Sequence, residues 1–200
     1  MQENNYFCSN MINVVSLIQL KAFARQDGAL LGLLWLIGFA TTVLVPVPLV
    51  NEVVIIATPI FVGWRLVKFR NYALDGIISY RRAFGYSLYT FFYGALIFAV
   101  AQGLYFQFLD HGKFTTLLSQ VVSTNATTYQ AMGIDSSQLM ESVGMLTNSS
   151  AIEKAFLFMM QNIMVAIPLS LLIAVFGVKK ASTMKLPEHK NGHPIDKENR

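Results

Sequence analysis

Three long apolar runs that contain no charged residue most constrain how this chain can fold. They cover residues 29–50, 84–109 and 155–178 and are 22, 26 and 24 residues long. The hydrocarbon core of a bilayer is about 30 Å thick, and a helix that rises about 1.5 Å per residue crosses it in about 20 residues. Each run therefore predicts a transmembrane helix, and the run at 84–109 is the clearest of the three.

The ends of the first span and the position of a further span follow from prolines and charges. Pro46 and Pro48 lack amide donors and disfavour helix just before each ring, so a helix over 28–45 should stop near Leu44 or Val45. Residues 50–67 form the weakest candidate span, because Glu52 and Arg65 lie close to its two ends. Long side chains can extend to an interface, so this segment is predicted to cross the membrane; a re-entrant or interfacial segment is the alternative.

The two ends of the chain are expected to differ from the 28–180 membrane domain. Within residues 1–27, apolar residues of the 11–24 segment recur at near-helical spacing, which is typical of an amphipathic helix lying on the membrane surface. Residues 181–200 are charged and nearly free of apolar side chains. This basic tail is predicted to be disordered.

Residues 110–153 form a long polar connection between the third and fourth spans. Apolar residues repeat in two stripes, and Asp135 or Ser136 is placed to cap a helix, with Gln138 three residues beyond Asp135. Long connections without structure are uncommon. Two short amphipathic helices packed over the outer membrane surface are therefore expected; the stripes are Phe114, Leu117, Leu118, Val121, Val122 and Leu139, Val143, Leu146.

Aromatic residues cluster at both ends of the third span. Tyr86, Tyr89 and Tyr93 lie toward its start, and Tyr105, Phe106 and Phe108 lie toward its end. Aromatic side chains are enriched at the two membrane–water interfaces, so both groups are interpreted as interfacial belts.

The basic residues predict which way the chain crosses the membrane. The 65–82 segment is interpreted as a basic loop that joins the second and third spans, and it holds five of the 15 Lys and Arg residues. With four spans, both chain ends lie on the same side as this segment, and that side carries thirteen of the 15. Cytoplasmic loops carry an excess of Lys and Arg, so both termini are expected in the cytoplasm. A three-span arrangement without 50–67, which moves the N-terminus outside, remains open as an alternative.

Composition supports a membrane protein and argues against a nucleic-acid partner. Hydrophobic residues make up 54% of the chain, only 13% of residues are charged, and the mean hydropathy is +0.48. A soluble domain has about 25% charged residues. The net charge of +4 is explained by cations that flank spans, since no basic patch accompanies a soluble domain. Cys8 is the one cysteine, so an internal disulfide is impossible.

Four segments carry a resemblance to a known family. They are FARQDGALLG at 23–32, GIISYRRAF at 76–84, YFQFLD at 105–110 and MGIDSSQLM at 132–140. In this order and spacing they resemble the family of small four-helix bacterial membrane proteins known as domain of unknown function 4199, typical of Bacteroidota. The resemblance covers about residues 23–180. It implies an inner-membrane protein with four spans, and it implies no activity and no catalytic residues.

Polar residues within or near the spans are the candidates for chemistry. An acid inside a membrane is a functional hypothesis by default, which applies to Glu52 beside Asn51, although a solvated interface position is the favoured interpretation. Four polar residues of the third and fourth spans could line a path, but interhelical hydrogen bonds explain them better; they are Gln102, Gln107, Gln161 and Asn162. Asp110 with His111 is too small a set for a metal site, and His189 and His193 are separated by helix-breaking residues.

Small residues repeat every four positions in two of the predicted spans. Gly28 and Gly32 form one such stripe, and Ala95, Ala99 and Gly103 form another. Small residues on one helix face allow close backbone approach, so the stripes indicate tight packing within the bundle or in a homodimer.

The sequence thus predicts an all-α fold, a four-helix transmembrane bundle with an N-terminal amphipathic helix and a helical extracytoplasmic loop. No catalytic, cofactor-binding or metal-binding residue is expected, because no reactive constellation is visible in the sequence. The expected function is a non-enzymatic structural, accessory or interaction component of the bacterial inner membrane; the alternative is a small transporter or channel subunit. The expected partners are the lipid bilayer and a second copy or another membrane protein, with no nucleic acid.

Overall fold

The computed structural model describes residues 3–44 and 48–179, with side chains described from Leu17 onward except for Pro48. This part of the chain is all-α. Its seven helices are α1 (Glu3–Leu44), α2 (Pro48–Ala73), α3 (Tyr80–Phe108), α4 (Lys113–Thr124), α5 (Ala126–Ala131), α6 (Ser136–Asn148) and α7 (Ala151–Gly177).

Four of these helices contain segments long and apolar enough to cross a membrane. The segments are Leu17–Leu44, Leu49–Ala73, Tyr80–Phe108 and Ala151–Gly177. Their number and order confirm the predicted all-α class with four candidate spans. The long helices expose many large apolar side chains, as a helix surrounded by lipid requires.

Helix α1 differs from its prediction. A surface helix over 11–24 followed by a separate span from residue 28 was expected, but α1 is one helix from Glu3 to Leu44. No proline separates the two segments, and Gly28 alone does not end a helix where it packs closely on a neighbour. The predicted stop of the first span near Leu44 or Val45 falls at the edge of residues 45–47, which lie outside the described residues, so it stays a prediction.

Helix α2 extends further than predicted at its basic end. It continues through Pro59 to Ala73, so Arg65, Lys68 and Arg70 lie on a helix rather than in a loop. The prediction of a basic loop over 65–82 is therefore wrong in extent, since only residues 74–79 connect α2 to α3. A helix of 26 residues is long enough to span, as the transmembrane interpretation of this segment requires.

The other three long helices, α1, α2 and α7, all contact α3. This helix makes its most extensive contacts with α7 and α1, whereas α2 packs mainly on α1. Gly28 and Gly32 of α1 lie against Thr90 and Gly94 of α3, so these two helices run parallel and very close together. Antiparallel α3 and α7 meet near Gly103 and Ala155.

One end of the bundle is held by contacts between the 74–79 connection and the end of α7. The Ile78 N–H donates to the Lys179 carbonyl oxygen over 3.1 Å, and Arg70 Nη1 donates to the Gly177 carbonyl oxygen over 3.0 Å. We call this end, where α2 and α7 finish and α3 begins, the basic end. The last carbonyls of α7 gain a cationic partner there, which complements the helix dipole.

Helices α4, α5 and α6 lie at the opposite end of the bundle. Two amphipathic helices were expected here, and the structure has three, because the six-residue α5 carries no apolar stripe that periodicity could reveal. Asp135 is the N-cap of α6, as predicted, and accepts from the Ser137 N–H over 2.8 Å. Ser150 and Glu153 form a capping box at the start of α7 that was not predicted. The tail at 181–200, with His189 and His193, lies outside the described residues.

Candidate functional site

Asp27 is the buried charge around which the basic end of the bundle is built. Its side chain lies on α1 within the segment Leu17–Leu44, and the residue is only 1% exposed. Burying an acid inside a span is expensive unless its charge and both oxygens are matched. The neighbours of Asp27 therefore decide what this site can do.

Arg65 of α2 supplies the matching charge. Its Nε donates to Asp27 Oδ1 over 2.6 Å, and its Nη2 contacts the same oxygen. The Arg65 side chain was expected to extend toward the interface, yet it is turned to Asp27 and keeps 15% of its surface exposed. The ion pair joins α1 to α2 within the apolar segments of both helices.

Tyr86 of α3 satisfies the second carboxylate oxygen. Its hydroxyl donates to Asp27 Oδ2, and the residue is fully buried. The ring stacks on Phe69 of α2 with centroids 4.6 Å apart and planes 7° apart. The interpretation of Tyr86 as a residue of an interfacial belt is therefore wrong, because burial against Phe69 and Asp27 removes it from the membrane interface.

These contacts define a three-helix polar network, which we name the Asp27 network: Asp27 of α1, Arg65 of α2 and Tyr86 of α3. Each carboxylate oxygen of Asp27 accepts from a different helix, so the acid has a donor on both sides. A charge-assisted bond is stronger than a neutral one, and more so where water is excluded. The network is suited to holding three helices together, because Arg65 of α2 and Tyr86 of α3 already donate to the two carboxylate oxygens of Asp27.

An open pocket lies beside the Asp27 network at the basic end. It has a volume of about 350 Å³ and is lined by Phe23, Asp27, Arg65, Lys68, Phe69 and Tyr72. Lys68 lies at its rim with its Nζ 5.4 Å from the Trp64 ring centroid and 6.0 Å from that of Tyr72. The pocket thus combines aromatic walls with cationic groups.

A second polar region lies nearer the opposite end, between α1, α2 and α7. Trp35 Nε1 donates to Thr58 Oγ1 over 2.9 Å, and two open cavities of about 170 and 250 Å³ share both residues in their walls. Asn162 lines both cavities, Gln161 lines the smaller and Asn51 lines the larger. The structure therefore brings together three of the polar residues singled out in the sequence, with uncharged groups only.

The other polar candidates are placed apart. Glu52 is exposed on α2 and Gln107 is exposed on α3, and the interface position of Glu52 stays a prediction. Gln102 is buried, and its Oε1 has no hydrogen-bond partner in the described part of the chain. These residues do not converge on a single site with Asn51 and Asn162.

Asp110 and His111 lie in the turn between α3 and α4. The Asp110 carboxylate accepts from the Phe114 N–H over 2.7 Å and from the Tyr105 hydroxyl over 3.1 Å, which ties the end of α3 to the start of α4. His111 is exposed and adopts a positive φ of 42° in the turn between them. Among the described residues, no group of three His, Cys, Asp or Glu side chains is placed to hold a metal ion.

The small-residue stripes are used inside the bundle. A Cβ on Gly28 would lie 2.7 Å from the Thr90 carbonyl oxygen, and one on Gly32 would lie 3.1 Å from the Gly94 carbonyl oxygen. Ala95 and Ala99 are buried on α3. Of the two alternatives, packing within one chain and packing in a homodimer, the structure shows the first for these residues.

The sequence pattern does not reveal the Asp27 network, because Asp27, Arg65 and Tyr86 each have a local explanation. Asp27 precedes an uncharged run and Arg65 follows one, so both fit solvated span ends. The available indication was that α1 and α2 are antiparallel neighbours, which places the start of one span beside the end of the next. Spacing alone did not show that Tyr86 of α3 would point to the same place.

A family model described as "Protein of unknown function (DUF4199)" matches residues 26–179. No curated protein matches the chain, and no solved structure matches it. The matched region begins beside Asp27 and contains all three residues of the Asp27 network.

Proposed function

The chain belongs to the DUF4199 family of proteins of unknown function, and from that premise we propose that it is a non-enzymatic structural or accessory component of the bacterial inner membrane. In this proposal a rigid bundle of four spans presents its outer faces to lipid and to a second copy or another membrane protein. Both termini lie in the cytoplasm.

The observation that carries this proposal is the closure of the Asp27 network. A binding or catalytic acid needs an oxygen that a substrate can reach, whereas Asp27 is only 1% exposed and its Oδ1 and Oδ2 already accept from Arg65 and Tyr86. Exchange of these bonds for a substrate would leave a buried charge unmatched. The most strongly charged site within the spans therefore supports a role in holding the bundle together.

The orientation is supported by the distribution of cations. The basic end carries Arg70, Arg81, Arg82 and Lys179, whereas the basic residues of the opposite end are Lys113 and Lys154. Positive residues are enriched on the cytoplasmic side of membrane proteins. The basic end is accordingly proposed to face the cytoplasm, with α4, α5 and α6 on the outer side.

Cysteine labelling in intact cells tests the orientation. Cys8 is the one cysteine of the chain, so a Cys8→Ser variant provides a background for single substitutions. Ser137→Cys, in the exposed first turn of α6, should react with a membrane-impermeant maleimide added outside the inner membrane. Asn71→Cys, exposed at the basic end, should react only after the cells are lysed. The reverse pattern would overturn the proposed topology.

Reconstitution tests the proposed lack of transport. The full chain in liposomes should pass protons, sodium and potassium no faster than protein-free liposomes, and Glu52→Gln should give the same result. The cavities lined by Asn51 and Asn162 make transport the rival function. A cation flux that Glu52→Gln abolishes would replace the structural proposal with a transporter.

Cross-linking in native membranes tests the proposed interaction. A short amine-reactive cross-linker should convert the full-length chain into one discrete larger species, either a dimer of the chain or a complex of fixed composition. A chain that stays monomeric at its natural abundance would remove the interaction part of the proposal.

A further inference from the structure

A stripe of exposed side chains runs along α2 from the apolar middle of the helix to its basic end. Successive members are four residues apart and form one ridge that winds slowly around the helix toward the pocket. Ile56, Ile60 and Trp64 are 64%, 66% and 57% exposed, and the stripe continues through Lys68 to Tyr72. Along this stripe the side chains change from apolar at Ile56 and Ile60 to aromatic at Trp64, cationic at Lys68 and aromatic again at Tyr72.

The cation of this stripe lacks an anionic partner in the described part of the chain. Among the described side chains, the ion pair of the pocket is Arg65 with Asp27, and the contacts of Lys68 are with the Trp64 and Tyr72 rings. Because Asp27 balances Arg65, Lys68 leaves the pocket with one net positive charge. Arg65 donates to Asp27 through Nε and Nη2, so neither of these bonds uses its Nη1.

The arrangement matches an anionic phospholipid. Ile56, Ile60 and Trp64 offer an apolar track for an acyl chain, and the track ends at Trp64, about one helix turn before Lys68. Tryptophan and tyrosine, which occupy positions 64 and 72, are enriched at the headgroup level of a bilayer. Basic pockets between transmembrane helices bind acidic lipid headgroups.

We propose that the pocket between α1 and α2 at the basic end binds the phosphate of an anionic phospholipid, held by Lys68 Nζ and Arg65 Nη1, with an acyl chain along Ile56, Ile60 and Trp64. Because Arg65 belongs to both the site and the Asp27 network, binding of the lipid would favour the ordered network, and the ordered network would favour binding of the lipid. Free inorganic phosphate shares the headgroup chemistry, but it would make no use of the apolar track.

Quenching of tryptophan fluorescence tests this site in the full-length protein. Brominated acyl chains quench a tryptophan that they touch, and Trp64 is exposed on the proposed track. In a Trp35→Phe background and a neutral detergent, brominated phosphatidylglycerol should quench Trp64 at about fivefold lower concentration than brominated phosphatidylcholine, as one Lys contact predicts. Equal quenching by the two lipids would overturn the proposal.

Three variants separate the pocket from general charge attraction. Lys68→Gln should abolish the preference for phosphatidylglycerol, whereas Lys68→Arg should keep it. Arg81→Gln removes one exposed cation from the same end outside the pocket and should leave the preference unchanged. If Arg81→Gln lowers the preference as much as Lys68→Gln does, attraction is non-specific and the site is refuted.

Competition with inorganic phosphate distinguishes the two sources of the anion. Millimolar phosphate at constant ionic strength should leave the phosphatidylglycerol titration unchanged, because the acyl chain contributes to lipid binding. Displacement of the lipid by millimolar phosphate would assign the pocket to a free anion and contradict the lipid proposal. The melting temperature of Lys68→Gln, which alters an exposed side chain, shows whether the variant is folded.

Discussion

Arg65 Nε lies 2.6 Å from Asp27 Oδ1, although 38 residues separate the two in the chain. The contact forms because α1 and α2 are antiparallel, which brings the entry of the first span beside the exit of the second. Tyr86 completes the arrangement from α3 through the other carboxylate oxygen. One acid thereby fixes the rotation of three helices about their axes at the basic end.

Removal of one partner of the ion pair should destabilise the bundle strongly. Asp27→Asn leaves the Arg65 guanidinium without its counter-charge, and breaking a buried pair in this way costs about 3 kcal/mol or more. We expect a clearly lower thermal midpoint for the detergent-solubilised variant. The double variant Asp27→Ala with Arg65→Ala should lose less stability than the single variants Asp27→Ala and Arg65→Ala lose together. Strict additivity would show that the two groups are not coupled.

The Tyr86 hydroxyl should matter separately from its ring. Tyr86→Phe keeps the stack on Phe69 but leaves Asp27 Oδ2 without its donor, which should cost about 1–3 kcal/mol. Tyr89→Phe is the matched control on the same helix, since the Lys21 ammonium contacts the ring of Tyr89 and a phenylalanine ring keeps that contact. Thermal melts of the two variants check the difference; equal stability would show that the Tyr86 bond contributes nothing.

The close approach of α1 and α3 should not tolerate a methyl group. A Cβ at Gly28 would lie 2.7 Å from both the Thr90 carbonyl oxygen and Tyr93 Cβ, so Gly28→Ala must push the helices apart. Overpacking of this kind costs about 1–3 kcal/mol. Gly63→Ala serves as the control, because a Cβ there would meet no atom within 4 Å. Denaturation in mixed micelles should give a clearly lower unfolding midpoint for Gly28→Ala than for Gly63→Ala.

The cap of α6 should be sensitive to acid. Hydrogen bonds from Ser137, its side chain first and its backbone N–H second, lower the pKa of Asp135. A folded-state pKa below the unfolded value means that the cap is fully stabilising above the ordinary Asp pKa and is lost as pH falls through the lowered value. Hydrogen exchange in the first turn of α6 should therefore quicken at acid pH beyond its intrinsic pH dependence.

Asp135→Asn separates capping from titration. Asparagine is as good an N-cap as aspartate, so this variant should keep the first turn of α6 protected at neutral pH and lose the additional acid sensitivity. Asp135→Ala should lose protection at every pH. If Asp135→Asn retains the acid response of the native chain, another group is responsible for it.

Much of the fold could be predicted from local features. Uncharged runs located the third and fourth spans, and Asp135 located the start of α6. Each of these depends on residues within a few positions of one another. The extension of α2 to Ala73 was missed because a cluster of charges such as Arg65, Lys68 and Arg70 is typical of a loop. In the structure the three residues lie on α2: Arg65 pairs with Asp27, Lys68 is exposed, and Arg70 donates to the end of α7.

The candidate site was the part that spacing did not reveal. Arg65 and Tyr86 were each assigned to an interface, because charged and tyrosine side chains near span ends usually lie there, and Asp27 was not singled out. Their meeting depends on which helices are neighbours and on how each is rotated. A pattern along one helix does not contain that information.

The sequence by itself determined that this chain is a helical membrane protein with four candidate spans, because span length and hydropathy are properties of contiguous residues. The tertiary structure alone decided that Asp27 is matched by Arg65 and Tyr86, and that Gly28 meets the backbone of α3. The physical reason is that lipid tails are as apolar as the helices they surround. Neighbours and rotations are therefore selected by close packing and by a few interhelical polar bonds, which form only when the assembled helices bring the groups together.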